Sequence, residues 1–294
     1  MGLRISTFGS YRRAIDRLRR VNLETNQLGE RVASGRALTR PSDDPATTAR
    51  ALRYRDVLAN VDQYRKNTAL AESTLSVIDS ALDTTTATIN RIRELAVLGA
   101  TGTQSAENRG LIAEEVKGLR EQLLTSANTR LGDKYLFAGF ASDQPAFDSA
   151  GTYVGDAGVS RVETGDGERT VTGIPGSDIF SPAGGVDVFA IVSQLETDLR
   201  ANNAAGVQGS LEGLDTAVGQ VIGQRSYLGS QLNRALRAKD NLDAVEVNFS
   251  KLSSQAEDLD MIDAISKFTQ AQATLEATLK STANILQTTL FNVI

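Results

Sequence analysis

Three groups of side chains in this sequence could do chemistry. One is Asp43-Asp44 before Pro45. A second is the acidic run Glu257-Asp258-Leu259-Asp260-Met261-Ile262-Asp263. The third is an arginine row, Arg12, Arg13, Arg17, Arg19 and Arg20. Paired carboxylates can hold a hard cation, but such sites gather about six or more oxygens. Asp43-Asp44 has no further ligand nearby, and the 257–263 run is too tightly spaced to wrap an ion. It reads instead as a solvated face, or as a patch that meets arginines such as Arg17, Arg20 or Arg31. The arginine row could grip nucleic-acid phosphates, face solvent, or meet a partner surface. Gly165-Asp166-Gly167 has the composition of a phosphate loop, yet no helix start follows it. The chain has no Cys and no His. That removes thiolate nucleophiles, thiolate zinc sites and the commonest general base. No nucleophile–base pair can be assembled from the remainder, so the expectation is no enzyme, no metal and no cofactor.

The elements that must carry these groups are long helices. Tyr11, Ala14, Leu18, Val21, Thr25, Leu28 and Val32 recur three and four apart, a coiled-coil stripe. Residues 1–10 read as irregular, with Gly2 and Gly9. The stripe stops near Ser34-Gly35, where glycine can take the left-handed conformation of a helix end. Pro45 then opens a second helix, because its missing N–H has no intrahelical partner at a first position. Asp44 is placed as its N-cap. No glycine or proline interrupts 46–98, and a helix of that length spans about 80 Å. Gly99 to Ser105 reads as a turn, and 106–131 as the returning helix of an antiparallel hairpin.

Composition then changes. Residues 141–186 hold nine glycines and three of the five prolines. Glycines bracket a strand pattern over 132–140, and 159–172 reads as a β-hairpin around Asp166-Gly167. A short helix is expected over 188–201 and a long one over 204–258. Its stripe Leu211, Leu214, Val218, Val221, Leu228, Leu232 gives way to a second, Leu242 to Leu259, shifted in phase. A last helix runs from Ala264 to near Val293, striped by Phe268, Leu275, Leu279, Thr282, Leu286 and Val293. Its later part is nearly uncharged, so it wants partner helices. The expected class is mainly α: a long coiled-coil-like helix bundle from both chain ends with a small inserted β domain. The boundaries read as 1–42, 43–134, 135–186, 187–259 and 260–294.

Charge is uneven. Residues 1–66 carry 14 Arg/Lys against 7 Asp/Glu, so the rest must be strongly acidic to give the net −5. No leader-type apolar segment and no run of 18 apolar residues occurs. The expectation is export without a cleaved signal, and no membrane span.

Several motifs resemble the flagellin superfamily. They are Leu28 through Ser34-Gly35 to Pro41-Ser42-Asp43-Asp44-Pro45-Ala46, the pair Ile89–Val97 with Leu111–Val116, and the ending Leu290–Ile294. Gly132-Asp133-Lys134-Tyr135-Leu136-Phe137-Ala138-Gly139-Phe140, with Gln144–Phe147 and Tyr153–Asp156, is most similar to the hook–filament junction branch. The resemblance implies a structural subunit that self-associates in a ring. Its neighbours would be the first hook-associated protein and flagellin, and an export chaperone would bind the C-terminal helix. It implies the flagellum as location, type III export, and an assembly surface at Tyr11, Leu18, Val21, Leu28, Val32, Phe268, Leu275, Leu279, Leu286, Leu290 and Val293. In some flagellins, positions matching Arg91, Leu95 and Glu115 contact an innate immune receptor. Filament flagellin is the alternative, and a basic coiled-coil nucleic-acid binder a more distant one.

Overall fold

The computed structural model describes the backbone of residues 2–291 and the side chains of residue 9 and residues 12–284. The elements in order are α1 (Gly2–Ser34), α2 (Pro45–Ala100), α3 (Ala106–Ala127), β1 (Arg130–Leu131), β2 (Lys134–Tyr135), β3 (Ser160–Gly165) and β4 (Glu168–Gly173). Then follow α4 (Ser177–Phe180), α5 (Val188–Arg200), α6 (Ala204–Glu257) and α7 (Met261–Phe291). The chain divides into two compact units. One joins residues 1–60 to 245–294, and the other is residues 61–244. The fold is mainly helical with a small β region, in the expected class.

In the unit of residues 61–244, α2, α3, α5 and α6 pack around one core. The α2 stripe Leu75, Ile78, Leu82, Thr85, Ile89 and Ile92 is fully buried or nearly so. It meets Ile112, Val116 and Leu123 of α3 and Leu214, Val221 and Leu228 of α6. Gly99 lets this packing close: a Cβ there would stand 2.5 Å from Leu199 Cδ2. The glycine-rich start of α6 is regular helix despite the propensity cost, because Val207, Leu214, Ala217 and Val221 lock it into the core. Gly209, Gly219, Gly223 and Gly229 meet only open space.

The structure corrects four expectations. Residues 2–10 are helical and continue α1. α3 ends at Ala127, before the predicted 131, because Asn128 exchanges hydrogen bonds with the Phe147 backbone (Nδ2 to O and N to Oδ1, both 2.9 Å). The 132–140 segment is only a two-residue strand, Lys134–Tyr135, paired antiparallel with Arg130–Leu131. The rest of it is held by Asp156, whose carboxylate accepts from the N–H groups of Phe140, Ala141 and Gly158. Those bonds, Phe140 first, hold this carboxyl below its ordinary 3.8. Tyr153 donates to the Asp156 carbonyl at 2.6 Å, and burial pushes its phenol up to about 12. Finally, the buried stripe of α6 keeps one phase from Leu214 to Leu242. Leu214, Val221, Leu228, Ala235 and Leu242 recur every seven residues, with Ala217 and Ala238 as a second buried set. Alanines at the joins hid this continuity from a reading of large apolar residues.

The β3–β4 hairpin forms around Asp166-Gly167, with Gly167 at φ 69°. Phe137, Phe147, Phe180 and Phe189 make an aromatic cluster with centroids 5.2–6.1 Å apart. This cluster anchors the β region to α5.

Candidate assembly interface

The unit holding both chain ends is built on α1 and α7, packed antiparallel. α7 turns one stripe inward: Ala264, Phe268, Ala271, Leu275, Thr278 and Thr282 are buried or half-buried. Their spacing alternates four and three, the period of a coiled-coil seam. The facing stripe of α1 is Leu18, Val21, Thr25, Leu28 and Val32; Thr25 is buried and the others half-buried. Thr25 Oγ1 satisfies itself on the Val21 carbonyl at 2.8 Å, and Thr282 does the same on Thr278. Gly29 admits the Phe268 ring. A Cβ there would lie 3.1 Å from Cε2, tighter than a comfortable contact.

The expected interface residues divide accordingly. Leu18, Val21, Leu28, Val32, Phe268 and Leu275 lie on the α1–α7 seam. Leu279 does not; it lies one place off the seam and is 48% exposed. The side chains of Tyr11, Leu286 and Leu290 lie outside those described, and Val293 lies outside the described residues altogether. Sequence reading passed over Gly29, Ala264, Ala271 and Thr278. A heptad search that admits small residues would have found the last three. Leu23, Ile262 and Ile265 are strongly exposed on the same two helices.

Where α1 ends, the chain is clipped to the start of α7. Gly35 takes φ 68° and donates its N–H to Arg31. Arg36 and Asp258 form an isolated antiparallel bridge. Ala37 N donates to Glu257 O at 2.8 Å, and Leu259 N to Gly35 O at 3.1 Å. The acidic run thus has local work. Glu257 pairs with Arg55, and Asp263 with Lys267 at 2.6 Å. Asp260 caps α7, which therefore starts at Met261, by accepting from Ile262 N and Asp263 N. Arg31 pairs with Asp43 at 3.8 Å, not with this run. No three-ligand metal cluster occurs among the described residues.

Asp44 stands before Pro45 and accepts from Ala46 N and Thr47 N at 3.0 Å each, and from Thr47 Oγ1 at 2.7 Å. The Thr47 hydroxyl, then its N–H, holds this carboxyl below its ordinary 3.8. A depressed carboxylate stabilises the fold above its unfolded value and loses that contribution as pH falls through the folded one. Helix content near residue 45 is therefore expected to hold above about pH 4 and to fall only below it. Asp44→Asn keeps an acceptor and is expected to remove that acid-induced step. Backbone NMR shifts of Ala46 to Thr48 across a titration check both outcomes.

In the larger unit, Arg91 Nη2 pairs with Glu115 at 2.8 Å, but Leu95 is 4% exposed and belongs to the core. The three positions therefore present no contact surface together, and the apolar one of the trio is spent on packing.

Two family models match the chain: the bacterial flagellin N-terminal helical region over residues 5–142 and the C-terminal helical region over 211–294. Flagellar hook-associated protein 3 of Salmonella typhimurium is 29% identical across 98% of this chain and 99% of its own length. That of Escherichia coli is 27% identical over the same shares. Flagellin of Bacillus subtilis is 27% identical over 93% of this chain and 95% of its own length. Among solved structures, a putative flagellar hook-associated protein from Vibrio parahaemolyticus shares the fold. Its TM-score is 0.68 at 24% identity, covering 74% of this chain and 100% of that one. The N- and C-terminal models together take in both helices of the seam, the Asp44 turn and the α2–α3 hairpin, and on that ground the chain belongs to the bacterial flagellin family.

Proposed function

We propose that this chain is a structural subunit of the bacterial flagellum, forming the junction between hook and filament. The observation that carries the reading is likeness over nearly the whole of both chains to flagellar hook-associated protein 3. The seam geometry supplies a means. Two antiparallel terminal helices bury one stripe on each other and leave Leu23, Ile262, Ile265 and Leu279 outside. Copies that pack side by side in a ring would cover that apolar surface, which drives association. In this reading residues 1–42 and 260–294 supply the assembly helices. Residues 43–134 and 187–259 supply the core, and 135–186 an adaptor. The first hook-associated protein lies on one side of the ring and flagellin on the other. The chain reaches the cell exterior by the flagellar type III route, with an export chaperone holding its C-terminal helix.

Quantitative mass spectrometry of purified flagella tests this. The expected result is a copy number well below that of hook protein, as one ring requires. A count far above hook protein would make the chain a filament flagellin.

A further inference from the structure

The α1–α7 pair is polarised in charge along its length. Around the clip, residues 24–44 and 257–263 carry eight carboxylates against Arg31, Arg36 and Arg40, with Arg55 and Lys267 reaching in to pair with Glu257 and Asp263. Toward the other end, residues 9–20 and 270–284 carry Arg12, Arg13, Arg17, Arg19, Arg20 and Lys280 against Asp16 and Glu276. At this basic end the two helices bound an open groove of about 880 Å³. Arg13, Arg17 and Arg20 form one wall, with Asp16 among them, and α7 lines the other with Ala273, Thr274, Ala277 and Ser281. The three arginines are exposed, and none has an ion-pair partner among the described residues. The small side chains opposite leave room for a third backbone to come close.

We infer that this groove takes the acidic turn, Glu257 to Asp263, of a second copy of the chain. The inference rests on the junction reading, which puts copies side by side. Within one chain the two surfaces cannot meet. Arg20 lies 14 residues before the end of α1, about 21 Å from the clip along the helix. A neighbour shifted along the helix axis by that distance lays its acidic end against the basic groove. Contact charges of opposite sign then select that shift, while an unshifted pair sets like against like. Asp258 and Asp263 are exposed; Asp258 accepts only from the Ser254 hydroxyl among the described residues, and Asp263 shares its charge with Lys267. A nucleic acid fits less well. Among the described residues the groove offers no aromatic ring on which a base could stack, and Asp16 would repel phosphate.

The natural absence of cysteine gives a clean test. A chain carrying both Arg20→Cys and Asp258→Cys is assembled into flagella and oxidised. Disulfide-linked dimers and larger oligomers are expected, and neither single variant should give them. In parallel, Arg17→Glu with Arg20→Glu, or Asp258→Lys with Asp263→Lys, is expected to lower the copies retained per flagellum about tenfold. The chain with all four changes should recover them. No cross-link, or no recovery in the fourfold variant, overturns the inference and leaves the junction reading intact. A wild-type copy number of filament size removes the junction reading instead. If Arg17→Glu with Arg20→Glu abolishes binding to a single-stranded oligonucleotide and no cross-link forms, the groove serves nucleic acid and the inference is wrong.

Discussion

Replacing Arg109 by Met is expected to cost the folded chain about 1–3 kcal/mol, since it leaves the buried Gly99 carbonyl unpaired and a buried acceptor without a partner costs about that much. Arg109 is 5% exposed. Its Nε donates to Gly99 O and its Nη2 to Thr101 O, both at 2.8 Å. Its Nη1 reaches the side-chain oxygen of Asn202. One guanidinium therefore closes the carbonyl end of α2, pins the α2–α3 turn, and ties both to the α5–α6 turn. Asn202 sits there at φ 55°, a left-handed conformation that asparagine tolerates better than most residues. Met fills much of the stem volume, so the expected loss is mainly polar. Arg109→Lys should recover only part of it, since an ammonium is a point donor and not a planar fork. Urea unfolding of the full chain, with hydrogen exchange to assign the transition to residues 61–244, measures this. A loss under about 1 kcal/mol would mean that water reaches the Gly99 carbonyl.

Phe180→Ala is expected to cost about 3–5 kcal/mol by removing a fully buried ring. Phe180 is 0% exposed and lies 5.2 Å from Phe147, 5.6 Å from Phe189 and 6.1 Å from Phe137, centroid to centroid. The hairpin and its loops contain little regular structure, so this cluster is their main attachment to the helices. Its loss should release residues 135–180 before the helices unfold, seen as early proteolysis confined to that stretch. Phe140→Ala is the control. Phe140 is 70% exposed and should change stability by no more than about 0.5 kcal/mol. Equal losses in the two variants would mean that aromatic content, and not burial, holds the region.

The helical frame was legible because its signals are local and repeated. Pro45 and Asp44 announce the start of α2, and Ser34-Gly35 the end of α1. The heptads of α2 and α7 mark their buried faces. The parts that were not legible depend on groups far apart in sequence. Asp156 organises Phe140 and Ala141 from 15 residues away or more, so a run that looks like a strand becomes a tethered loop. Arg109 looks like one more surface arginine until Asn202 and Gly99 are brought beside it. Leu95 carries an apolar contact position in the family resemblance, and only packing reveals that it faces inward. In the assembly unit the large residues of the seam could be read from spacing. Gly29 could not, because a glycine opposite a phenylalanine leaves no mark on either helix alone.

The clip between residues 35–37 and 257–259 has a mechanical consequence. Its two backbone hydrogen bonds, Ala37 N to Glu257 O and Leu259 N to Gly35 O, cross the same short antiparallel bridge. Sliding α1 along α7 would load both at once, so the bridge is pulled in shear and cannot be peeled open one bond at a time. The helices consequently hold their register under a force directed along their axes. A twist applied at one chain terminus passes to the other through a fixed phase, without slack. In the junction we propose, this makes the pair of terminal helices a single torsional element.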